Sequence, residues 1–277
     1  MTLNCKGHLL SLEAPIVMGI LNMTPGSFYD GGRYQMEHEI LSQAEKMLTQ
    51  GARILDIGGM SSRPGAQMIS PEEEIQRVLP AITCIRREFP EALLSIDTVW
   101  STVAFAAVEE GVSIINDISA YRYDPKLPEV AVQHSIPYIL MHMQGQAPKD
   151  MQDNPNYDNP VLEIIDFFIA KVAHLRRMGL KDIVLDPGFG FGKSIHHNYV
   201  ILKGLHQFQL LELPILAGIS RKSMIYKHLN TESGQALNGT TALHMVALQQ
   251  GAKILRVHDV KEAVEVIKLW QKLEAIS

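Results

Sequence analysis

Short, mostly apolar runs alternate along this chain with stretches in which apolar residues return every three or four positions. The runs fall at Ile16–Leu21, Ile54–Ile57, Leu93–Ile96, Ser113–Ile115, Tyr138–Met141, Ile183–Leu185, Ile215–Ile219 and Ile254–Val257. Each is continuous and not alternating, as expected of parallel strands buried on both faces. Their starts lie about 34 residues apart on average, enough for strand, loop, helix and return in a right-handed βαβ unit. Between them, Val161, Ile165, Phe168, Val172 and Leu175 form a buried stripe with Lys171, Arg176 and Arg177 off it. Val260, Val264, Ile267, Trp270 and Leu273 predict the same for the last helix. Ser70-Pro71-Glu72-Glu73 reads as a helix start, with a cap, an early proline and acids that complement the dipole; the whole Glu72–Glu74 run reads as solvated. Gly51, Gly111, Gly179 and Gly251 stand where helices stop before the next strand.

Eight such units without a composition break predict an α/β chain folded as a single-domain (β/α)8 TIM barrel over residues 1–277. An open doubly wound sheet stays possible, because periodicity does not show closure. Residues 1–15 read as an N-terminal extension, and 22–34 and 144–160 as long active-site loops.

The bulk numbers narrow the class. With 46% apolar and 20% charged residues the chain can bury a sizeable core, which excludes intrinsic disorder. A net charge of −5 argues against a general nucleic-acid binder. No apolar run approaches the ~18 residues of a membrane helix. The first residues, MTLNCKGHLL, lack the layout of a signal peptide, so a cytoplasmic protein is expected. Cys5 and Cys84 are too few for a disulfide framework or a cysteine metal site; Cys84 reads as a small buried residue.

The chemistry shows at the strand ends, where a barrel of this type builds its active site. At the ends of the runs or just past them stand Asn22, Asp56 with Arg63, Asp97, Asn116 with Asp117, His142, Asp186, Arg221 with Lys222, and Arg256 with His258. One such residue could be a helix cap. Eight in register point to a ligand. Asp97, Asn116 and Asp186 suit a flat heterocycle with donor and acceptor edges. Lys222, Arg256, His258 and Arg63 suit a phosphate or diphosphate as cations. Gly188-Phe189-Gly190-Phe191-Gly192-Lys193 is one residue short of P-loop spacing, so its glycines are read as bending a loop and not as a nucleotide cradle. His196 and His197 read as surface residues, Met18, Met141 and Met143 as packing, and Asp117 as a brace. His142 is open between ligand and packed residue.

The segments at these ends resemble, in order, those of dihydropteroate synthases. They are Asn22-Met23-Thr24-Pro25-Gly26-Ser27-Phe28-Tyr29-Asp30, Asp56-Ile57-Gly58-Gly59-Met60-Ser61-Ser62-Arg63-Pro64-Gly65-Ala66, Ser95-Ile96-Asp97-Thr98, Ile115-Asn116-Asp117-Ile118-Ser119, Leu140-Met141-His142-Met143, Asp186-Pro187-Gly188-Phe189-Gly190, Ser220-Arg221-Lys222-Ser223 and Arg256-Val257-His258-Asp259. The resemblance implies a cytoplasmic, homodimeric transferase of folate biosynthesis. Such an enzyme joins 6-hydroxymethyl-7,8-dihydropterin diphosphate to 4-aminobenzoate with Mg2+, and sulfonamides target it. By the same resemblance, Asp97, Asn116, Asp186 and Lys222 hold the pterin. Asn22, Arg256 and His258 hold the diphosphate, with Asn22 the Mg2+ ligand. Ser62, Arg63, Pro64 and Ser223 hold the aminobenzoate, under a loop carrying Phe28 and Asp30. Gly26, Met60, Ser62 and Gln144 depart from the usual Asp, Glu, Thr and Arg. Two rival readings are a pterin-dependent methyltransferase and a non-catalytic pterin-binding protein. Lys222 together with Arg63-Pro64 speaks against the first; Asn22, Arg256 and His258 speak against the second.

Overall fold

The computed structural model describes residues 1–24, 33–60, 68–145 and 155–276. Eight parallel strands, β3 (Ile16–Asn22), β4 (Ile54–Gly58), β5 (Leu93–Asp97), β6 (Ile114–Asp117), β7 (Tyr138–Met141), β8 (Ile183–Asp186), β9 (Leu216–Ala217) and β10 (Ile254–Val257), pair in the order β8-β7-β6-β5-β4-β3-β10-β9. A parallel bridge between Leu185 and Ile215 brings the two ends of that order together. The barrel is closed, which excludes the open sheet.

Helices α1 (Arg33–Thr49), α2 (Pro71–Glu88), α3 (Ser101–Glu109), α4 (Leu127–His134), α5 (Pro160–Arg177), α6 (Ile195–Lys203), α7 (Ser223–Tyr226), α8 (Leu237–Gln249) and α9 (Val260–Glu274) run between and after the strands. Ser70 caps α2 as expected, accepting from Glu73 N at 3.2 Å, with Pro71 opening the helix. The stripe of α5 is buried throughout. On α9, Val260 and Ile267 of the expected stripe are buried and Val264 and Trp270 pack against the core at its edge, joined by Ala263 and Val266, while Leu273 is exposed. The four helix-stop glycines all carry φ between +96° and +104°. Among the described residues no helix is long and apolar enough to cross a membrane.

Two features depart from the sequence reading. The seventh barrel strand shrinks from Ile215–Ile219 to Leu216–Ala217. Gly218 then offers no side chain where a Cβ would lie 3.8 Å from Asp186 Oδ2 and 4.0 Å from Lys222 Nζ, so the strand yields its inward position to the site. The N-terminal extension is itself structured. Strands β1 (Thr2–Cys5) and β2 (His8–Ser11) pair antiparallel through Lys6 and Gly7, both at positive φ (56° and 93°), as a two-residue hairpin turn requires. Leu3, Cys5, Leu10 and Leu12 form one buried cluster with Ile16 and Met18 of β3 and with Ile54, Leu93, Ile114, Ile139, Val184, Leu216 and Ile254, one residue from each of the other barrel strands. The hairpin therefore plugs the floor of the barrel. Asn4 N donating to Asp182 Oδ2 at 3.1 Å and Lys6 Nζ donating to the Val108 carbonyl at 2.7 Å tether it there.

Candidate active site

Successive side chains of a strand point to opposite faces, so the residue two past each floor residue shares its inward direction. From Ile54, Leu93, Ile114, Val184 and Ile254 that step reaches Asp56, Ser95, Asn116, Asp186 and Arg256; a further step along β5 reaches Asp97. An apolar floor thus gives way, within one strand, to a polar layer.

Arg256 organises that layer. Its Nε donates to Asp56 Oδ2 at 2.6 Å and its Nη2 to Asp97 Oδ2 at 2.5 Å. Asn116 Nδ2 donates to the same Asp56 oxygen at 3.0 Å. Burial pushes the Asp97 carboxyl up to about 7 against the pull of Arg256, with Asp56, Asp117 and Asp186 adding to the rise. Arg256, facing three of these acids, stays charged despite its burial, its pKa lying above the usual arginine range. Asp56 is a site residue to which the sequence reading gave no role. Its signal was there: it is the inward residue of β4, two past Ile54.

Asp186 faces this group from β8. Burial raises its carboxyl above the usual range and Lys222 opposes the rise. Gly188 N donates to Asp186 Oδ1 at 2.7 Å. This bend demands glycine: φ is +71° and a Cβ would lie 1.9 Å from the His142 carbonyl. Lys222 Nζ donates to the Phe189 carbonyl and lies 4.5 Å over the Phe191 ring. Burial brings its ammonium down to about 8, and Asp186 limits the fall. Lys193, which P-loop logic would send to a phosphate, is instead buried. Its Nζ lies 3.0 Å from His142 Nδ1 and donates to the carbonyls of His142 at 3.2 Å and Phe191 at 2.9 Å. His142, packed edge-on against Phe167, is a structural partner of that lysine.

Around the mouth, Asn22 ends β3 exposed, Ser223 opens α7 half-buried, and His258 lies just past β10. His258 does not belong with the cations: although the residue as a whole is exposed, desolvation on the ring's inner side and then the charge of Arg256 hold it down at about 4, so it is neutral near pH 7. The Glu72–Glu74 run is not wholly solvated. Glu74 is fully buried and its Oε2 accepts from Thr98 Oγ1 at 2.9 Å, beside Asp97. Asp117 is the expected brace, accepting from Ser119 N at 2.7 Å, Ser119 Oγ at 2.6 Å and the Tyr138 hydroxyl at 2.5 Å. His196 is exposed, while the His197 ring completes the capping box of α6 with Ser194. Phe28, Asp30, Ser62, Arg63 and Pro64, with Gly26, lie outside the described residues.

Residues 18–258 match the pterin binding enzyme family. The dihydropteroate synthase of Escherichia coli (strain K12) is 44% identical over 271 residues, covering 97% of this chain and 95% of that protein. The Yersinia pestis dihydropteroate synthase in a sulfonamide drug complex superimposes with a TM-score of 0.92 at 41% identity, over 100% of both chains. The Xanthomonas albilineans dihydropteroate synthase in complex with 7,8-dihydropteroate gives 0.89 at 35% identity, again over 100% of both. The chain belongs to the dihydropteroate synthase family.

Two of its departures from the common dihydropteroate synthase pattern can be placed. Met60 packs with Met68, Trp100 and Tyr123 against a small cluster of Val99, Ile118, Met141, Met143 and Phe191, which explains why an apolar residue is accommodated there. Gln144 Nε2 donates to the Asn156 carbonyl at 3.0 Å, while its buried Oε1 has no partner among the described residues.

Proposed function

We propose that the polar layer divides its labour as the family's chemistry requires, acids, amide and Lys222 toward the pterin, and Arg256 with His258 toward the diphosphate. The enzyme is a transferase that condenses 6-hydroxymethyl-7,8-dihydropterin diphosphate with 4-aminobenzoate to 7,8-dihydropteroate and diphosphate. One observation carries the reading: Asp56, Asp97, Asn116 and Asp186 meet Lys222 and Arg256 inside a single barrel mouth.

Asp97, Asn116, Asp186 and Lys222 bind the pterin edge. The exocyclic carbon loses diphosphate in an SN1-like step, leaving a cation delocalised into the ring, which Asp97 and Asp186 favour electrostatically. Arg256, held on one side by Asp56 and Asp97, keeps its Nη1 unbonded to any described residue and, with His258, receives the departing diphosphate. The arylamine then attacks the carbon, its nitrogen losing a proton; the resemblance assigns its subsite to Ser62, Arg63, Pro64 and Ser223, with Phe28 and Asp30. Exclusion of water there protects the cation.

Mg2+ fits this mouth as an ion carried by the diphosphate. Among the described residues no group of three or more His, Cys, Asp or Glu could hold a metal. Asn22 offers one hard amide oxygen at the rim, which suits an ion coordinated mainly by phosphate oxygens and water. When bound, Mg2+ would offset the charge of the leaving group.

We also read residues 1–277 as one barrel domain and, as the resemblance implies, a cytoplasmic homodimer. Incubating the purified protein with the dihydropterin diphosphate, labelled aminobenzoate and Mg2+ should yield labelled dihydropteroate; a folded protein that binds pterin without turnover favours the binding-protein reading. Asp186→Ala should weaken pterin binding by ~1–3 kcal/mol in calorimetry, since a buried partner is lost.

A further inference from the structure

The ends of β9 and β10 are joined beyond their ladder at two successive positions. Arg221, in a left-handed conformation with φ of 53°, grips Asp259 with Nε and Nη2 at 2.7 and 2.9 Å. Its Nη1 donates to the carbonyls of Ser233 at 3.2 Å and Gly234 at 2.6 Å, and its backbone N to Thr240 Oγ1 at 3.1 Å. One residue earlier, Ser220 Oγ accepts from His258 N at 3.2 Å and lies 3.1 Å from His258 Nδ1. The clasp of Arg221 thus holds Ser220 under the His258 ring.

A serine hydroxyl has one proton to donate and two lone pairs. One lone pair is taken by the His258 N–H. Ser220 is 4% exposed, so its proton needs an acceptor within the protein. Among the described residues the acceptor within reach is Nδ1. A ring nitrogen that accepts a hydrogen bond carries no proton, and a neutral imidazole then carries it on the other nitrogen. Although His258 as a whole is exposed, full protonation is opposed by desolvation on the ring's inner side and by Arg256, Arg221 and Lys222, with Asp259 pulling the other way.

We propose that Ser220 is a positioning residue that fixes His258 in the Nε2–H tautomer, so that the ring meets the diphosphate as a neutral hydrogen-bond donor. This rests on the reading of His258 as a diphosphate contact. With the proton on Nδ1, the ring would present a lone pair to the anion in place of a donor. Ser220 and His258 lie 38 residues apart.

The 15N resonances of His258 in labelled wild-type protein, assigned by their loss in His258→Ala, report the tautomer directly. The expected pattern is a protonated Nε2 and an unprotonated Nδ1; a protonated Nδ1 overturns the proposal without any variant of Ser220. Binding of inorganic diphosphate with Mg2+, followed by calorimetry, gives the second arm. Ser220→Ala should bind about tenfold more weakly and show mixed tautomers, and Ser220→Thr should restore both. If His258→Ala binds diphosphate as the wild type does, the diphosphate reading of His258 falls. If His258→Ala weakens binding and a folded Ser220→Ala does not, the role of Ser220 alone falls.

Discussion

The two ends of the barrel interior are built from the same eight strands and obey opposite rules. At the floor, every strand gives an aliphatic or methionine side chain, β3 giving two, and the hairpin of β1 and β2 closes the layer. Two residues on, four of these strands give Asp56, Asn116, Asp186 and Arg256, each tied to a partner of opposite charge or polarity. Apolar packing is tolerant, because a cavity costs in proportion to its size. A buried ion network is not, because removing one partner strands the others. Stability and chemistry are thereby separated along the strand by two residues.

That contrast is tested most severely by Arg256→Ala, which leaves Asp56 and Asp97 buried without their counter-ion. It should cost ~3–5 kcal/mol in urea unfolding and abolish measurable turnover. Full stability in this variant would show that the acids are neutral without Arg256. At the floor, Leu10→Ala should cost ~2–4 kcal/mol while leaving kcat/KM of the folded fraction unchanged, a split that would fail if activity fell in step.

Glu74 lies between the two regimes. Burial pushes its carboxyl up to about 7, partly offset by the bond from Thr98. The folded state therefore holds this proton more tightly than the unfolded chain. Its contribution is full below the ordinary glutamate range and is lost as pH rises through about 7. Glu74→Gln should flatten the decline in stability across roughly pH 5–8 by on the order of 2 kcal/mol, read from unfolding midpoints at each pH. An unchanged slope would move that titration to another group. The smallest effect belongs to the hairpin tether: Asp182→Ala should cost about 0.5–1.5 kcal/mol and raise amide exchange in β1 before exchange in β3.

The barrel was legible because continuous apolar runs mark strands buried on both faces, and its site because Asp97, Asn116, Asp186 and Arg256 interrupt those runs at their ends. What escaped had other causes. Thr2–Cys5 is four residues of mixed polarity, and only the Lys6-Gly7 pair hinted at a turn. Asp56 was visible as a strand-end acid, but its pairing with Arg256 spans 200 residues and exists only once the barrel closes. Glu74 sits beside two other acids in a first helical turn, and nothing in the sequence tells which of the three turns inward toward Thr98. His258 was counted as a cation because residue type does not reveal the charges around it.

The hairpin also settles the orientation of the chain at a surface. Leu12 N donates to the Met1 carbonyl at 2.8 Å, so the first residue is held at the floor, opposite the strand ends that carry Asp97 and Asp186. A linker attached at Met1 would anchor the barrel by its sealed end and leave the mouth facing solution, which makes this terminus the natural attachment point for a sensor chip or a fusion partner.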